Sequence, residues 1–394
     1  MFEIVDEKRD GAVIKVIGVG GCGGNAVEHM IRKGVAGVEF IAANTDGQVL
    51  DKNPAPHRIP LGAELTMGLG AGAKPEVGRD AAMESKMAVQ EAIRGADMLF
   101  ITAGMGGGTG TGAAPIIAQL AKEMGILVVA VVTKPFRFEM QKRERTAQAG
   151  IDELQKHVDS LIVVPNEKLI QVLGRNISLP AAFAASNDVL HGAVAGISEI
   201  INKRGLVNRD FADVRTIMSE LGMAMMGTAT ACGEDRGKVA AMAAIKSPLL
   251  EDVDLQGARG VLLNITTSSN VELGELYDVT DTVAEFVSAD ATVLWGHVID
   301  EDMGDEMRVT MVATGLGAKR KMQAVQGGMA NAPRLELPVM RTGTDNIPVL
   351  GDAVTTTATA TTEVSYDEPA FMRNPTRNTA RSLEIPTFLR KQAD

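Results

Sequence analysis

Aromatic side chains are scarce in this chain, 3% of 394 residues with a single tryptophan. The core that a hydrophobic content of 45% allows must be built from Val, Ile, Leu, Met and Ala. Cysteine is nearly absent as well, with Cys22 and Cys232 the only two. So few thiols exclude a disulfide framework and suit a reducing, cytoplasmic compartment. Basic charge is in deficit: the net charge of −11 excludes a general nucleic-acid or anionic-membrane binder. It does not exclude a nucleotide, whose phosphates backbone N–H groups can hold. No apolar run reaches the ~20 residues of a membrane span. The charged start, residues 1–10, lacks the apolar core of a signal peptide. We expect a soluble protein with no direct membrane insertion. His29, His57, His157, His191 and His297 show no metal-binding spacing, so they read as structural or surface residues.

What is present is an alternation. Val13–Val19, Val38–Ala43, Met98–Ala103, Ile126–Thr133 and Ser160–Val164 read as buried strands, and helical patterns such as Asn25–Lys33 and Pro115–Met124 fall between them. This predicts an α/β fold of Rossmann-like type, a mostly parallel sheet with helices on both faces. Leu179–Asn202 reads as a long central helix, weakly charged and so expected to be buried between two domains. Strands at Gly260–Thr266, Ala291–Val298 and Arg308–Thr314, with a helix at Asp281–Ser288, predict a second, α+β domain. The expected organisation is an extension at 1–10, a nucleotide-binding domain at 11–178, the central helix at 179–203 and the second domain at 204–317. A disordered linker at 318–380 and a tail peptide at 381–394 complete it.

Glycine carries the chemistry. Gly18-Val-Gly-Gly-Cys-Gly-Gly-Asn25 follows a strand and opens a helix. It satisfies G-x-G-x-x-G, so by itself it leaves an NAD-binding oxidoreductase open. Met105-Gly-Gly-Gly-Thr-Gly-Thr-Gly112 places five glycines in eight residues ahead of another helix. Such a backbone can approach phosphates closely, with amides forming an anion nest and the helix adding its positive end. No G-x-x-x-x-G-K-[ST] occurs, hence no P-loop lysine. Gly68-Leu-Gly-Ala-Gly-Ala73 reads equally as a third phosphate-side loop or a flexible connection.

Gly104–Gly112 resembles the signature of the tubulin/FtsZ family of GTPases, and its context resembles the bacterial division-ring branch of that family. Ala42-Ala-Asn-Thr-Asp46, Pro75-Glu-Val-Gly78, Val131-Val-Thr-Lys-Pro-Phe136, Pro165-Asn-Glu-Lys-Leu169 and Asn208–Val214 carry the resemblance across residues 11–317, and it resumes at the C-terminus. It implies a protein that binds GTP or GDP with Mg²⁺, hydrolyses GTP and polymerises with itself into the cytokinetic ring at midcell. By resemblance, Gly21, Cys22, Gly23, Gly24, Asn25, Gly108, Thr109 and Gly110 hold the phosphates. Glu139 and Arg143 match sugar- and phosphate-side contacts, while Asn166, Asn187 and Asp188 match positions around the nucleotide. Asn187 is the first choice for the guanine edge, whose N1–H and N2–H₂ need an acceptor.

The resemblance gives Asn208, Asp210 and Asp213 a role in hydrolysis. On the residues alone, Asp210 and Asp213 at i and i+3 read as a solvated helix start. If Asn187 contacts the base, the helix rise puts the far end of the central helix roughly 25 Å away. The pair must then serve the nucleotide of a neighbouring subunit or be unrelated to catalysis. No protein metal-ligand set is assigned. Cys22, Lys74, Met140, Pro180, Arg204 and Arg209 depart from the family pattern, Met140 standing where a glycine is usual. In the tail, Ile385, Pro386, Phe388, Leu389, Arg390 and Lys391 resemble the peptide that docks to membrane-tethering division adaptors. A non-hydrolysing structural filament protein is the remaining alternative.

Overall fold

A computed structural model describes residues 11–316 apart from 175, 204–209, 221 and 251–253. The chain runs β1 (Ile14–Val19), α1 (Gly20–Lys33), β2 (Val38–Asn44), α2 (Gly47–Asp51), β3 (His57–Pro60), α3 (Ala63–Thr66), α4 (Pro75–Glu84), α5 (Lys86–Ile93) and β4 (Met98–Gly104). It continues through α6 (Thr109–Glu123), β5 (Leu127–Lys134), α7 (Gln141–Leu154), β6 (Ser160–Pro165), α8 (Asn166–Leu173) and the long α9 (Leu179–Asn202). The second half holds α10 (Phe211–Met218), β7 (Met223–Cys232), α11 (Arg236–Ile245), β8 (Gly260–Thr267), α12 (Leu273–Ala284), β9 (Thr292–Ile299) and β10 (Glu306–Leu316).

These strands form one sheet in the order β3-β2-β1-β4-β5-β6-β7-β10-β8-β9. From β3 to β7 every pairing is parallel, and β10 then runs antiparallel to both β7 and β8. Strands covered on both faces need no polar side, which is why β4 and β5 read as near-continuous apolar runs and β1 is broken only by Lys15. On one face, Ile17, Ile101, Val128 and Val132 pack under α4 to α7 through Ala81, Ile117 and Ile151. On the other, Val16, Phe100 and Val129 meet Val27 and Met30 of α1 and Leu190, Val194 and Ile197 of α9.

The α9 cluster also takes in Met226, Leu262 and Val312, so this helix packs on both halves of the sheet. The fit is close. A Cβ on Gly196 would lie 2.9 Å from Thr310 Cγ2. Ser178 caps the helix, its Oγ accepting from the Ala181 amide at 3.4 Å. Pro180 therefore falls in the first turn, where no intrahelical partner is lost.

Candidate nucleotide site

The glycine loops gather at the carboxyl ends of the parallel strands, the edge where α/β sheets bind ligands. The chain passes from β1 straight into the first turn of α1, so the segment read as a loop before Asn25 is already helical at Gly20. Gly20 has φ +74°, and a Cβ there would stand 2.9 Å from the Gly110 amide nitrogen. The first turns of α1 and α6 thus touch. The partial positive charges of two helix N-termini, on helices of 14 and 15 residues, converge on one place. Neither first turn carries an acidic residue that would compete with an anion.

The loop glycines divide by what surrounds them. A Cβ on Gly23 would lie 2.4 Å from the Thr102 carbonyl oxygen, so this residue is glycine because α1 presses on β4. Around Gly21 and Gly107 a Cβ would meet nothing within 4 Å. Their small size leaves room for a ligand rather than for the fold. Gly107 lies in the signature run but is not among the residues assigned by resemblance.

Side chains tie the loops together. Thr45 and Thr109 hydroxyls share a hydrogen bond of 2.6 Å, and the Gly106 amide donates to Thr111 Oγ1 at 2.8 Å. Gly68–Ala73 joins the same edge: Gly47 N donates to the Gly68 carbonyl at 3.0 Å and Gly70 N to the Thr45 carbonyl at 3.1 Å. A Cβ on Gly108 would come within 2.8 Å of Ala71 Cβ. The ambiguous third run is therefore part of the rim. Cys22 Sγ stands 3.8 Å from Thr133 Oγ1, and burial pushes its thiol above the usual range, so it stays protonated at neutral pH. That makes it a poor oxidation target.

Beyond β5 a short 3₁₀ turn, Arg137–Glu139, leads into α7. Glu139 accepts from the Phe136 amide at 2.9 Å and pairs with Arg143 Nε at 3.1 Å. Arg143 lies over the second loop, since a Cβ on Gly106 would be 2.8 Å from its Cγ. Met140 joins the turn to the helix at φ 75°, ψ 155°. That conformation suits glycine and costs any other residue about 1–3 kcal/mol.

At the end of β6, buried Asn166 accepts at Oδ1 from Ser186 Oγ of α9 at 2.8 Å. This leaves the amide group of Asn166 to donate. One residue on from Ser186, Asn187 is half-buried and makes no side-chain hydrogen bond among the described residues. Asp188 is turned elsewhere, to His29 Nε2 at 2.7 Å and Lys33 Nζ at 3.6 Å on α1. Phe183, one turn before Asn187, packs edge-on against Phe136 with centroids 5.4 Å apart and is 38% exposed. An aromatic face beside the Asn187 amide and the donor end of Asn166 suits a purine. In the sequence Phe183 is only one member of the helix's apolar pattern, because periodicity cannot tell a packed ring from one left partly open.

The acidic pair lies at the opposite edge of the sheet. Asn202, at the end of α9, donates from Nδ2 to the Gly37 carbonyl at 2.7 Å, just before β2 begins. Arg215 of α10 reaches the Gly125 carbonyl at 3.4 Å, just before β5. α10 therefore sits at the amino ends of the strands. Asp210 caps it, Oδ1 accepting from the Asp213 amide at 2.8 Å, while Asp213 is half-buried. Asn208, Arg204 and Arg209 lie outside the described residues, as do tail residues Ile385, Pro386, Phe388, Leu389, Arg390 and Lys391. Among the described residues no cluster of three or more His, Cys, Asp or Glu side chains fits a metal ion. No helix there is long and apolar enough to cross a membrane.

The model of the Tubulin/FtsZ family GTPase domain matches residues 13–174, and that of the FtsZ family C-terminal domain matches residues 222–317. Cell division protein FtsZ of Pseudomonas aeruginosa is 54% identical, with 100% of both chains covered. This chain belongs to the FtsZ family. FtsZ of Coxiella burnetii is 52% identical over 99% of each chain. Among solved structures, the empty FtsZ dimer of M. jannaschii superposes with a TM-score of 0.75 at 42% identity, covering 79% of this chain and 90% of that one. CetZ2 of Haloferax volcanii, at 20% identity and a TM-score of 0.68, covers 78% of this chain and 94% of its own and is similar in fold alone. Membership in this family of GTPases carries guanine-nucleotide binding and removes the dinucleotide oxidoreductase from consideration.

Proposed function

We propose that this FtsZ-family chain binds GTP at the carboxyl edge of its sheet and polymerises head-to-tail, each subunit's acidic helix completing its neighbour's active site. One observation carries the reading: the glycine loops and the Asp210/Asp213 helix lie at opposite ends of the parallel strands of one sheet. A site split this way cannot close within one subunit. A contact joining top edge to bottom edge is heterologous and propagates as a filament.

In this reading the phosphates rest on the first turns of α1 and α6, from Gly21 to Asn25 and Gly108 to Gly110. Glu139 and Arg143 attend the sugar and phosphates, Phe183 flanks the base, and Asn187 with Asn166 reads its edge. Asp213 of the adjoining subunit orients a water for attack on the γ-phosphorus. The new bond forms from the water oxygen, the bond to the β–γ bridging oxygen breaks, and GDP and phosphate result. Such transfer asks mainly for positioning and charge stabilisation. Asp210, already committed to the α10 cap, acts chiefly by holding that helix. Mg²⁺ accompanying the nucleotide would offset phosphate charge and keep waters in its own shell.

The names of the relatives, cell division proteins, support a role in the cytokinetic ring at the division site. We assign residues 11–178 to the GTP-binding domain and 204–317 to the domain that activates hydrolysis in the neighbour. Residues 318–380 are the tether of a tail, 381–394, that takes membrane-linked adaptors. The test is GTP turnover against protein concentration, followed together with light scattering. Turnover per subunit rises above a critical concentration if the site is shared. Flat turnover rejects the shared site, and assembly without turnover favours a purely structural filament.

A further inference from the structure

Met140 is held where only glycine rests without strain, at φ 75° and ψ 155°. Among the described residues little offsets that cost, because its side chain is 72% exposed and so gains little packing. Nor does the residue cap α7, for its side chain makes no hydrogen bond there. Its backbone is nonetheless committed: the Met140 carbonyl accepts from the Arg143 amide at 3.1 Å and the Glu144 amide at 3.3 Å. The joint therefore cannot relax without shifting Arg143 away from Gly106.

The neighbourhood is apolar as well as exposed. Phe138, two residues earlier, is 54% exposed and stacks on Phe136 with centroids 5.2 Å apart. On the rim loop after α3, at the same edge of the sheet, Met67 and Leu69 are 80% and 81% exposed. Phe138 and Met140 thus leave two large apolar side chains open on one short turn, more than the scattered single ones that any surface carries.

We propose that Met140 is a contact residue of the subunit interface, an apolar side chain held out at the nucleotide-bearing edge for the bottom edge of a second copy of this chain. The proposal rests on the head-to-tail reading above. A second copy is the occupant because this edge is the one that a head-to-tail contact must cover. The strain is tolerated in the free subunit because the side chain it projects is buried only on assembly.

The experiment compares full-length parent, Met140→Gly and Met140→Leu. Glycine removes both strain and side chain, whereas leucine keeps a side chain of similar volume at the same angle. Thermal midpoint and GTP affinity are measured below the assembly threshold, and critical concentration by light scattering and sedimentation. Met140→Gly is expected to melt higher, bind GTP within about twofold of the parent, and need a critical concentration raised about fivefold. Met140→Leu is expected to assemble within about twofold of the parent. An unchanged or lowered critical concentration for Met140→Gly overturns the proposal, as does a Leu variant that weakens assembly as much as glycine does. A parent that never assembles overturns the head-to-tail reading along with it, so the two failures are distinguishable.

Discussion

Asn202 donates from Nδ2 to the carbonyl of Gly37 at 2.7 Å, and this bond pins the end of α9 to the amino edge of the sheet. The same helix carries Asn187 toward the carboxyl edge. Its 24 residues span about 36 Å at 1.5 Å per residue. One long helix thus sets the separation between Asn187 and the helix that begins at Asp210. The functional consequences follow from that distance.

Asp213→Ala should leave GTP affinity within about twofold and lower turnover by at least about a hundredfold, the scale of losing a group that acts only in the transition state. Fluorescent-nucleotide binding and phosphate release, measured on the same preparation, check both halves. Asp210→Ala is less clean, because losing the cap on α10 costs about 1 kcal/mol of stability. Asp210→Asn keeps the cap and is the better companion.

The loop glycines should separate by variant. Gly23→Ala drives a methyl group against the Thr102 carbonyl and is expected to lower the melting midpoint. Gly21→Ala meets no atom within 4 Å, so the midpoint should hold while GTP affinity falls about tenfold. Calorimetric melting and titration distinguish loss of fold from loss of ligand.

Stability should fall on the acid side of neutrality. Burial lowers the imidazole pKa of His191 and of His297 below the ordinary value, so the folded state favours both rings uncharged. The sign follows: the unfolded chain binds these protons more readily, so stability is full above about pH 6.5 and is lost progressively as pH falls from there through the lower pKa values of the folded state. His297→Leu should flatten the decline in denaturant midpoint between about pH 7 and pH 5. An unchanged slope would show that this ring does not contribute.

Deleting residues 383–394 should spare assembly and abolish capture of a membrane-tethering adaptor, as read by co-sedimentation with filaments.

Much of this architecture is legible in the residues. The parallel strands β1, β2, β4, β5 and β6 are buried on both faces, so their Val/Ile runs mark them within a residue or two. α9 matches its expected bounds because its apolar spacing is long and uninterrupted. Other elements carry weaker signals. β7 is Met-Ala-Met-Met-Gly-Thr-Ala-Thr-Ala-Cys, with no Val or Ile, and it shows no strand pattern. β3 is a four-residue edge strand ending in proline. The helix expected at Asp281–Ser288 overlaps only the last turn of α12, which runs Leu273–Ala284 and whose opening Leu-Gly-Glu turn hides the periodicity. The joining of both halves into one sheet rests on the short β6–β7 pairing of Leu161 with Met223 and Ile162 with Ala224, a long-range match that no local pattern encodes.

Within the site, the signature glycines are evident from composition, but their division into packing and ligand-facing positions depends on atoms distant in sequence. The Ser186 bond to Asn166, and the diversion of Asp188 to His29, likewise join residues 20 and 159 positions apart. The strain at Met140 can be suspected from its place in a glycine-like turn. Its φ cannot.

The most direct measurement mixes two inactive chains. Asp213→Ala retains the loops and lacks the acidic group, while Gly21→Leu fills the open space above α1 and retains Asp213. Each alone should hydrolyse GTP negligibly. Mixed in equal amounts, they should recover up to roughly a quarter of parental turnover, because about one head-to-tail contact in four joins an intact loop to an intact acidic helix. A mixture no more active than its two components would contradict a site completed by the neighbouring subunit.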